Sequence, residues 1–577
     1  MNPWIPHLLR AGGGGGGPVL PPAGRTMLAN LKSSLILDEG TGDPTWSRAT
    51  KAWGFNELGY LEELASGCAF FGGARLVRNT VRTTSEDFSN AAWIKFGSIT
   101  APSANIIVCA NATSAQYINQ GGTLSLIPGQ KLSYCIRAKK VVGGVDFIQI
   151  AGQSTTHGTG QFVNISLVDG TYSATGCFPV VTSLGGGVYD ISVVLTCVAA
   201  GFDVYNIAFT NALSSTRLEA FVGDGIKSFE LLRAWSVDVT NYNVSYVPEY
   251  VSVGVVASPY FGAGIDGAKY FETDWQGAPI AAANLLRFRR EAAATNNLLH
   301  SRDLSNAAWS TKTNITAAKT ATGLDGIANT ATTLTAAAAG AIILQPITLA
   351  SAARCASAYV KRRTGTGTIS FTHDGGGSWT DITAQINGST WSRVQITSTL
   401  ANPSVGFKIS TSGDAIDVDC AQNEAGTVAT SPIVTTTATI TRNAESETYQ
   451  TASNWSDTAG TAYIEVQPLA WVAGGAIGSA TNGLLLSAAN SGATASDGTN
   501  TANGPAGSPS GRKKLALRWG GGAMTVASGG VVGTPGTYDG AMGLASIGIA
   551  VNSSTYCGPV AIYDYAMTDA ELQAITT

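Results

Sequence analysis

The stretch that decides how this chain is organised is Ser85-Glu86-Asp87-Phe88-Ser89-Asn90-Ala91-Ala92-Trp93, which returns as Ser301-Arg302-Asp303-Leu304-Ser305-Asn306-Ala307-Ala308-Trp309. The copies lie 216 positions apart and agree at seven of nine positions. Chance does not produce such a match, so one module has been used twice. The period is too long for a solenoid repeat, so each copy is expected to open a whole domain. Trp93 and Trp309 are predicted to be structural, with Asp87/Asp303 and Asn90/Asn306 capping the turn before them.

Composition points to an all-β protein. Only 12% of the 577 residues are charged, against about 25% in typical domains. Gly (69 residues), Ala, Ser and Thr supply the polarity instead, and short alternating apolar runs are bounded by Gly, Asn and Asp. This pattern predicts tandem β-sandwich or jelly-roll domains preceded by an extended N-terminal anchor peptide.

The predicted boundaries follow the shifts in pattern along the chain. Gly262–Gly267 fits a formal GxGxxG, but the strand-like residues after it favour a hairpin turn over a dinucleotide site. Thr568-Asp569-Ala570-Glu571 is a capping box that predicts a short C-terminal helix. The predicted divisions are an anchor and glycine tether (1–26), a short β lead-in (27–78), a first jelly roll (79–250), a linker with a β-hairpin (251–294), a second jelly roll (295–442) and a C-terminal sandwich (443–577).

Several classes of function find no support in the sequence. The net charge is −4 and no basic stripe is present, which argues against nucleic-acid binding. No apolar run reaches about 18 residues, so membrane insertion is not expected. Eight cysteines show no CxxC or metal-ligand spacing and are interpreted as buried free thiols of a protein that folds in a reducing cytosol.

No catalytic or metal-binding residues are predicted. The four histidines lack helical or metal spacing, and His373 in its glycine-rich turn is expected to be solvated. Carboxylate pairs able to hydrolyse glycosides can be chosen at will among 38 acids, so they indicate nothing specific. We therefore expect no enzyme activity and no cofactor. A structural calcium ion stays open, because jelly rolls often hold one.

Aromatic residues are the feature that suggests binding. Twelve tryptophans in a β protein of low charge offer flat faces that stack on sugar rings, with polar neighbours bonding the hydroxyls. The predicted carbohydrate-binding residues, all in the second module, are Tyr359, Trp379, Trp391 and Arg393; core packing is the alternative for each.

The N-terminal segment differs in composition from the rest of the chain. An apolar peptide precedes six glycines, Gly12 to Gly17, and then a proline-rich stretch. It is interpreted either as a loose tail or as an anchor that docks into a partner through Trp4, Ile5, Leu8 and Leu9.

The repeated motif resembles the opening of carbohydrate-binding-module-like jelly rolls in virion proteins of tailed bacteriophages. Trp46–Thr50 and Gly73–Asn79 match the lead-in usual there, and Asp417–Gly426 with Thr441–Ala444 resembles the module's closing strand and exit. The family more often has Trp-Gly where this chain has Asp419-Cys420. Ile562–Leu572 is similar to the last strand and helix of concanavalin A-like or laminin-G-like domains.

This resemblance implies a virion structural protein of the tail-fibre or spike type. Residues 1–26 would attach it to other virion proteins, and the β modules would bind host surface polysaccharide. It would assemble in the bacterial host cytoplasm and act in the virion as a homo-oligomer, by analogy a trimer. Alternatives are a capsid or collar decoration protein without ligand, and a polysaccharide depolymerase.

Overall fold

The computed structural model describes residues 20–81, 83–242, 245–255, 262–469, 473–487, 492–505 and 511–577. Regular structure in these residues is almost entirely antiparallel β-strand, which confirms the all-β prediction of tandem sandwiches. The chain forms two compact units, one of Arg75–Ile280 and one of the residues up to Ala74 together with Ala281–Thr577. The anchor residues Trp4, Ile5, Leu8 and Leu9 lie outside the described residues, so their role stays a prediction.

The first module is a two-sheet sandwich within the unit Arg75–Ile280. Its core is a cluster of buried apolar side chains between the sheets, including Phe88, Trp93 and Tyr134. Sheet 1A has the order β14 (Tyr172–Thr175), β13 (Phe162–Ser166), β12 (Phe147–Gly152), β17 (Gly201–Phe209), β10 (Tyr117–Leu126), β7 (Ile94–Phe96). Sheet 1B has the order β15 (Phe178–Gly185), β16 (Val188–Thr196), β11 (Lys131–Lys140), β19 (Ser228–Asp238), β8 (Ile106–Val108).

Smaller elements complete this unit. They are the pair β9 (Thr113–Ser114) and β18 (Phe221–Val222), the pair β6 (Arg75–Arg78) and β20 (Ala268–Phe271), and the single helical turn α1 (Ser154–His157). Thr273 bridges Pro279 around a turn held by the Asp274 carboxylate, whereas the predicted hairpin turn lies earlier, at Gly262–Gly267.

The second module has the same plan. Sheet 2A has the order β23 (Thr311–Thr313), β26 (Ala341–Pro346), β31 (Ser404–Ile409), β28 (Ile369–Thr372), β29 (Thr380–Asp381). Sheet 2B has the order β24 (Ile315–Ala321), β25 (Ala331–Ala336), β32 (Ala415–Ala425), β27 (Ala352–Thr364), β30 (Ser392–Leu400). The short pair β22 (Ala294–Asn296) and β33 (Ile440–Arg442) joins the module's entry to its exit.

The two modules match strand by strand. The order β7-β10-β17-β12-β13 corresponds to β23-β26-β31-β28-β29, and the order β8-β19-β11-β16 corresponds to β25-β32-β27-β30. At the far edges the first module adds β14 and β15, whereas the second adds β24. The shared order supports the inference from the nine-residue repeat that one module occurs twice.

The repeated motif makes the same contacts in both copies. The Asp87 and Asp303 carboxylates accept from the N–H of the serine two residues on, and Asn90 and Asn306 accept from the N–H of Ala92 and Ala308. Both tryptophans are fully buried, and each indole donates to a backbone carbonyl at the start of its own module. The predicted structural role of the motif is therefore confirmed.

The motif's variable second position carries a swapped ion pair. In the first module Glu86 contacts Arg233 at 3.0 Å, and in the second Arg302 contacts Asp419 at 2.8 Å. Each pair ties the motif to the long strand of the same module, β19 or β32. The acid and the base have exchanged places while the contact is retained.

The third sandwich draws on distant parts of the chain. Sheet 3A has the order β42 (Val531–Val532), β41 (Ala523–Ser528), β40 (Lys513–Gly520), β35 (Ala459–Pro468), β45 (Thr555–Tyr563), β21 (Arg287–Arg290), β5 (Phe70–Gly72), with β1 (Arg25–Ala29) on β45 and β43 (Gly536–Thr537) on β41. Sheet 3B has the order β2 (Thr45–Ser47), β34 (Ser446–Tyr449), β44 (Ile547–Ile549), β36 (Gly474–Gly478), β37 (Gly483–Ser487), β38 (Gly492–Ser496), β39 (Thr501–Asn503).

The predicted lead-in, 27–78, does not form a unit of its own, because its strands belong to sheets built mainly from other parts of the chain. Its strands β1, β2 and β5 complete sheets 3A and 3B, and β21 from the predicted linker joins them. Its hairpin of β3 (Ala52–Phe55) and β4 (Leu61–Leu64) packs on the second module. Short segments acquire stable partners only through such long-range pairing, which local pattern does not reveal.

A buried ion cluster joins these segments. Arg48 from the lead-in donates to Glu445 at 2.7 Å, and Glu291 lies 3.0 Å from Arg442 at the exit of the second module. Burial would raise the pKa of Glu291, but Arg289 and Arg442 hold it at about 2. Paired charges at this depth fix the relative position of the segments, since any unpaired member would be costly.

The C-terminal helix α2 (Asp569–Thr576) confirms the predicted capping box. The Glu571 N–H donates to the Thr568 hydroxyl at 3.3 Å, and the Thr568 N–H donates to the Glu571 carboxylate at 2.7 Å. Leu572 and Ile575 are buried, and the helix lies against β40 and β41.

Candidate functional site

Two of the four predicted carbohydrate-binding residues are buried in protein. The exposed fraction is 6% for Tyr359 and 9% for Trp391, and both belong to an apolar cluster with Leu61 and Cys420. Phe55 meets the Tyr359 ring edge-on, with ring centroids 5.7 Å apart. The prediction of open stacking platforms is wrong for these two residues, because the β3–β4 hairpin covers this part of sheet 2B.

Arg393 is half-buried and serves the same cluster. Its guanidinium lies 5.4 Å from the centre of the Tyr359 ring and donates to the Ser357 hydroxyl at 3.1 Å. A cation placed over an aromatic face stabilises that ring's packing. The structure therefore gives Arg393 a partner within the protein.

Trp379 remains partly exposed, at the edge of sheet 2A. Its indole packs over Gly376, whose φ of +95° lies in the left-handed region. The Asp374 carboxylate holds this turn by accepting from the Ser378 N–H at 2.9 Å. Lys408 lies 5.8 Å from the Trp379 ring. Trp379 is the one predicted residue that keeps an aromatic surface outside the core.

The outer face of sheet 1A provides a stronger combination of groups. Along β10, Ile118 points into the core, so Tyr117 and Asn119 share the opposite face. The strand registers align one row across the sheet on that face: Phe96, Tyr117, Ala208, Gln149, Asn164 and Ser173. Asn119 and Asn206 are cross-strand partners in the adjacent row.

Two stacked rings form the exposed end of this row. The centroids of Phe96 and Tyr117 are 4.6 Å apart, and their planes differ by 14°. Phe96 is 50% exposed and Tyr117 is half-buried. A rigid pair of rings at a sheet edge supplies flat apolar area with little conformational entropy left to lose on binding.

Amide side chains organise the rest of the face. Asn119 donates to the Asn206 side-chain oxygen at 2.9 Å, and Gln149 donates to that of Asn164 at 2.7 Å. Gln149 also accepts from the Leu218 N–H at 2.7 Å, which ties the segment from Leu213 to Leu218 onto the sheet. Asn164 donates to two carbonyls of the same segment. The face is thus closed over β12 and β13, Ala208 and Asn206 on β17 are buried as well, and the open part lies over β10 and β7.

Arg217 lies at the border between the closed and open halves. It donates to the Gly152 carbonyl, while its Nε has no hydrogen-bond partner among the described residues. Partial burial lowers the pKa of Arg217, and the nearby Tyr117 hydroxyl opposes this shift. Burial raises the pKa of Tyr117, and Arg217 opposes that shift in turn. The Arg217 guanidinium, the Tyr117 hydroxyl and the Asn119 amide therefore lie around the stacked rings.

The corresponding face of the second module has different chemistry. Its row across the sheet is Thr313, Ile342, Lys408, Ser370 and Asp381, with Trp379 beside it on the strand edge. The indole and the lysine are the groups there that most resemble the ring and cation of sheet 1A. The repeat thus presents two related but unequal faces.

The structure corrects the expectation of a solvated His373. The side chain is buried, with Nδ1 2.7 Å from the Ser398 hydroxyl and Nε2 accepting from the Asn423 amide at 2.7 Å. Burial and the nearby Arg354 lower the pKa of His373 to about 4. A neutral ring held on both nitrogens is part of the packing of sheets 2A and 2B.

Neither a metal-binding group of residues nor a membrane-spanning helix is present in the described ranges. No three or more His, Cys, Asp or Glu residues are grouped to hold a metal ion there. Within the same ranges, no helix has the length and hydrophobicity needed to cross a membrane. All eight cysteines are free, and seven are buried, as predicted.

Comparisons with known proteins assign no family to this chain. No protein-family model matches the chain, and no curated protein matches it. Among solved structures, the N-terminal CBM22-1–CBM22-2 tandem domain of Xyn10C from Paenibacillus barcinonensis covers 60% of this chain and 100% of its own length. The identity is 9% and the TM-score is 0.21, values too low to infer a fold or a function from this similarity.

The sequence did not indicate the candidate residues of sheet 1A, because the predicted sugar-binding residues all lie in the second module. The alternation Tyr117-Ile118-Asn119 does place Tyr117 and Asn119 on one face. It does not say which face is open, and Phe96 and Arg217 reach the same place from 21 residues before and 100 residues after Tyr117. The strand registers bring Phe96, Tyr117 and Asn119 together, and hydrogen bonds from the segment Leu213–Leu218 to the sheet add Arg217.

Proposed function

We propose that this protein is a non-enzymatic, glycan-binding structural subunit of a bacteriophage particle, of the tail-fibre or spike type. The observation that carries the binding part is the stacked Phe96–Tyr117 pair beside Asn119 and Arg217 on the open half of sheet 1A. The virion part is supported by the sequence resemblance of the repeated motif, its lead-in and its exit. Residues 1–26 would attach the protein to its virion neighbours.

The proposed ligand is a polysaccharide of the host surface. A sugar ring placed against the exposed aromatic pair would bury its apolar face, and Asn119 and Arg217 would bond its hydroxyls. Single sites of this kind bind weakly, so repeated copies on a particle would raise the avidity.

The test uses the full chain on an array of bacterial lipopolysaccharides and capsular polysaccharides, followed by calorimetric titration of the best glycan. We expect Tyr117→Ala to weaken binding about tenfold, since about 1.4 kcal/mol of ring burial and stacking is lost. Tyr117→Phe retains the ring and should stay within about threefold of the wild type. Tyr172→Ala removes an exposed tyrosine from the opposite edge of the same sheet and serves as the matched control.

Two results would contradict the proposal. Equal affinities for Tyr117→Ala, Tyr172→Ala and the wild type would remove sheet 1A as the site. A blank array for the wild type, alone and in particles, would favour a decoration protein without ligand. Loss of polysaccharide viscosity on incubation would overturn the non-enzymatic part and favour a depolymerase.

A further inference from the structure

The first module carries an edge element that the second lacks. Strands β14 and β15 follow one another in the chain and extend sheets 1A and 1B by one strand each. At the corresponding edges, the second module ends at β29 and β30. Because the two modules share the rest of their strand order, the fold does not require this addition.

Strand β15 is an exposed edge of eight residues. Among the described strands it pairs with β16 alone. Phe178 is 78% exposed and lies opposite Val194 in the register, while Val194 itself packs against a buried cluster around Trp235. Phe178 therefore continues an apolar surface beyond the point where the module's own residues cover it.

More apolar surface adjoins this edge. The turn that leads into β14 contacts β15, since a Cβ at Gly170 would lie 3.5 Å from Val181. Leu184 is exposed at the end of β15, and Val168 and Tyr172 are exposed on either side of the turn. Several exposed apolar side chains at one sheet edge indicate an interaction site.

The same stretch contains no charge. Between Asp169 and Asp190 there is no Asp, Glu, Lys or Arg. Proteins usually protect a free edge strand with charged side chains, lysine above all, because the edge is a template for another strand. The corresponding edge strand of the second module, β30, carries one charged residue, Arg393.

We propose that β15 pairs antiparallel with β15 of a second copy of this chain and forms a two-fold symmetric dimer. In an isologous contact each residue near the axis meets its own counterpart, so a charge there would face a like charge. A charge-free strand meets that requirement, whereas an acidic or basic partner would need complementary charges. Pro179 lacks an N–H, so the donors of the new ladder are those N–H groups between Val180 and Leu184 that point away from β16, which is every second one.

Side-chain contact would add to the backbone pairing. A specific stable interface buries roughly 1,200–2,000 Å² in total, which a five-residue ladder does not reach alone. Phe178 and Leu184 on β15, with Val168 near it, extend the contact on each copy. This proposal is independent of glycan binding, because the open part of sheet 1A lies at the opposite edge, over β10 and β7.

The experiment measures the mass of the full chain by sedimentation velocity and light scattering over a range of concentrations. The wild type should be a dimer of twice the 59.1 kDa chain. Thr182→Lys places a charge at the centre of the ladder, opposite its own copy, and Phe178→Lys replaces the exposed apolar ring by a charge; each should raise the dimer dissociation constant at least tenfold. Both positions are exposed, so circular dichroism and thermal unfolding should match the wild type.

Val142→Lys is the matched control, because Val142 is fully exposed in the turn between β11 and β12. It should leave the dimer intact. A wild type that is monomeric at about 100 μM would overturn the proposal, as would a trimer. An oligomer whose mass is unchanged by both lysine variants would also overturn it, since the contact would then lie elsewhere.

Discussion

At the scale of single residues, Cys420 explains a departure from the pattern of the resembled family. It lies in β32 where the register with β27 shifts, and its φ of +48° is in the left-handed region. Glycine is the residue that adopts this conformation without strain, and the resembled family more often has it here. The neighbouring Asp419 accepts from Arg302 and from the Leu324 N–H, so an ionic contact occupies the place of the usual tryptophan.

We therefore predict that Cys420→Gly is more stable than Cys420→Ala by about 1 kcal/mol. Both variants lose the buried thiol, but only alanine retains the left-handed strain. Ala421→Gly is the control at the next position, where the usual order should hold and glycine should be less stable than alanine by about 0.5–1 kcal/mol. Chemical unfolding of the three variants measures the order. Cys420→Ala being the more stable cysteine variant would contradict the prediction.

At the scale of secondary-structure elements, the strand β34 carries an unusual buried acid. Burial raises the pKa of Glu447 to about 7, although the Tyr449 hydroxyl and Arg290 oppose the shift. The Tyr449 hydroxyl lies 2.7 Å from the Leu35 carbonyl and 2.5 Å from the Glu447 carboxyl. The hydroxyl has one proton for two acceptors, the Leu35 carbonyl and the Glu447 carboxylate, so it satisfies the carboxylate only in part.

Glu447 should make the protein less stable as the pH rises. Its pKa is about 7 in the folded chain and about 4.3 when unfolded. The stabilisation by the bound proton is complete below pH 4.3 and is lost as the pH rises through 7. Glu447→Gln mimics the protonated form, so at pH 8 it should exceed the wild type by roughly 1–3 kcal/mol and near pH 4.5 it should equal it.

Unfolding free energies of Glu447→Gln and the wild type between pH 4.5 and 8 measure this difference. Glu63→Gln is the control, because Glu63 is exposed and pairs with the exposed Lys51. Its effect should stay within about 0.5 kcal/mol and change little with pH. A Glu447→Gln difference that is constant over this range would mean that Glu447 does not titrate there.

At the scale of the whole molecule, the N-terminal region divides into two parts. Residues from Arg25 onward belong to sheet 3A through the pairing of β1 with β45. The apolar peptide and the glycines precede this strand in the sequence. A deletion that tests the proposed anchor should therefore stop before β1, since a longer cut would remove a strand.

We predict that removing residues 1–19 leaves the thermal unfolding unchanged but abolishes incorporation into phage particles. Replacing Trp4, Ile5, Leu8 and Leu9 by serine, with the glycines retained, should have the same effect because the apolar side chains supply the proposed contact. Purified particles from a complemented deletion strain, probed for the protein, provide the measurement. Wild-type levels of the truncated protein in particles would remove the anchor role.

Local features of the sequence predicted the parts of the fold that depend on near neighbours. The nine-residue motif forms its turns through contacts two or three residues apart, and the Thr568–Glu571 box caps α2 in the same way. Short alternating apolar runs indicated strands for the same reason, since successive side chains point to opposite faces. Each of these predictions was confirmed because the interactions lie inside the stretch that was read.

The binding-site predictions failed where the answer depended on distant partners. Tyr359 and Trp391 have the sequence surroundings of platform residues, yet a hairpin about 300 positions earlier covers them. No sequence pattern marks Phe96, Tyr117 and Arg217 as neighbours. They come together only when the chain folds.

The sequence by itself determined the β class, the duplicated module and the capped C-terminal helix, because alternation, repetition and local hydrogen bonds are written in adjacent residues. Only the tertiary structure decided that the segment before the first module completes the last sandwich, and which aromatic faces stay open. Those outcomes depend on which strands pair across hundreds of residues and on what each sheet face buries, and neither is encoded within a single segment.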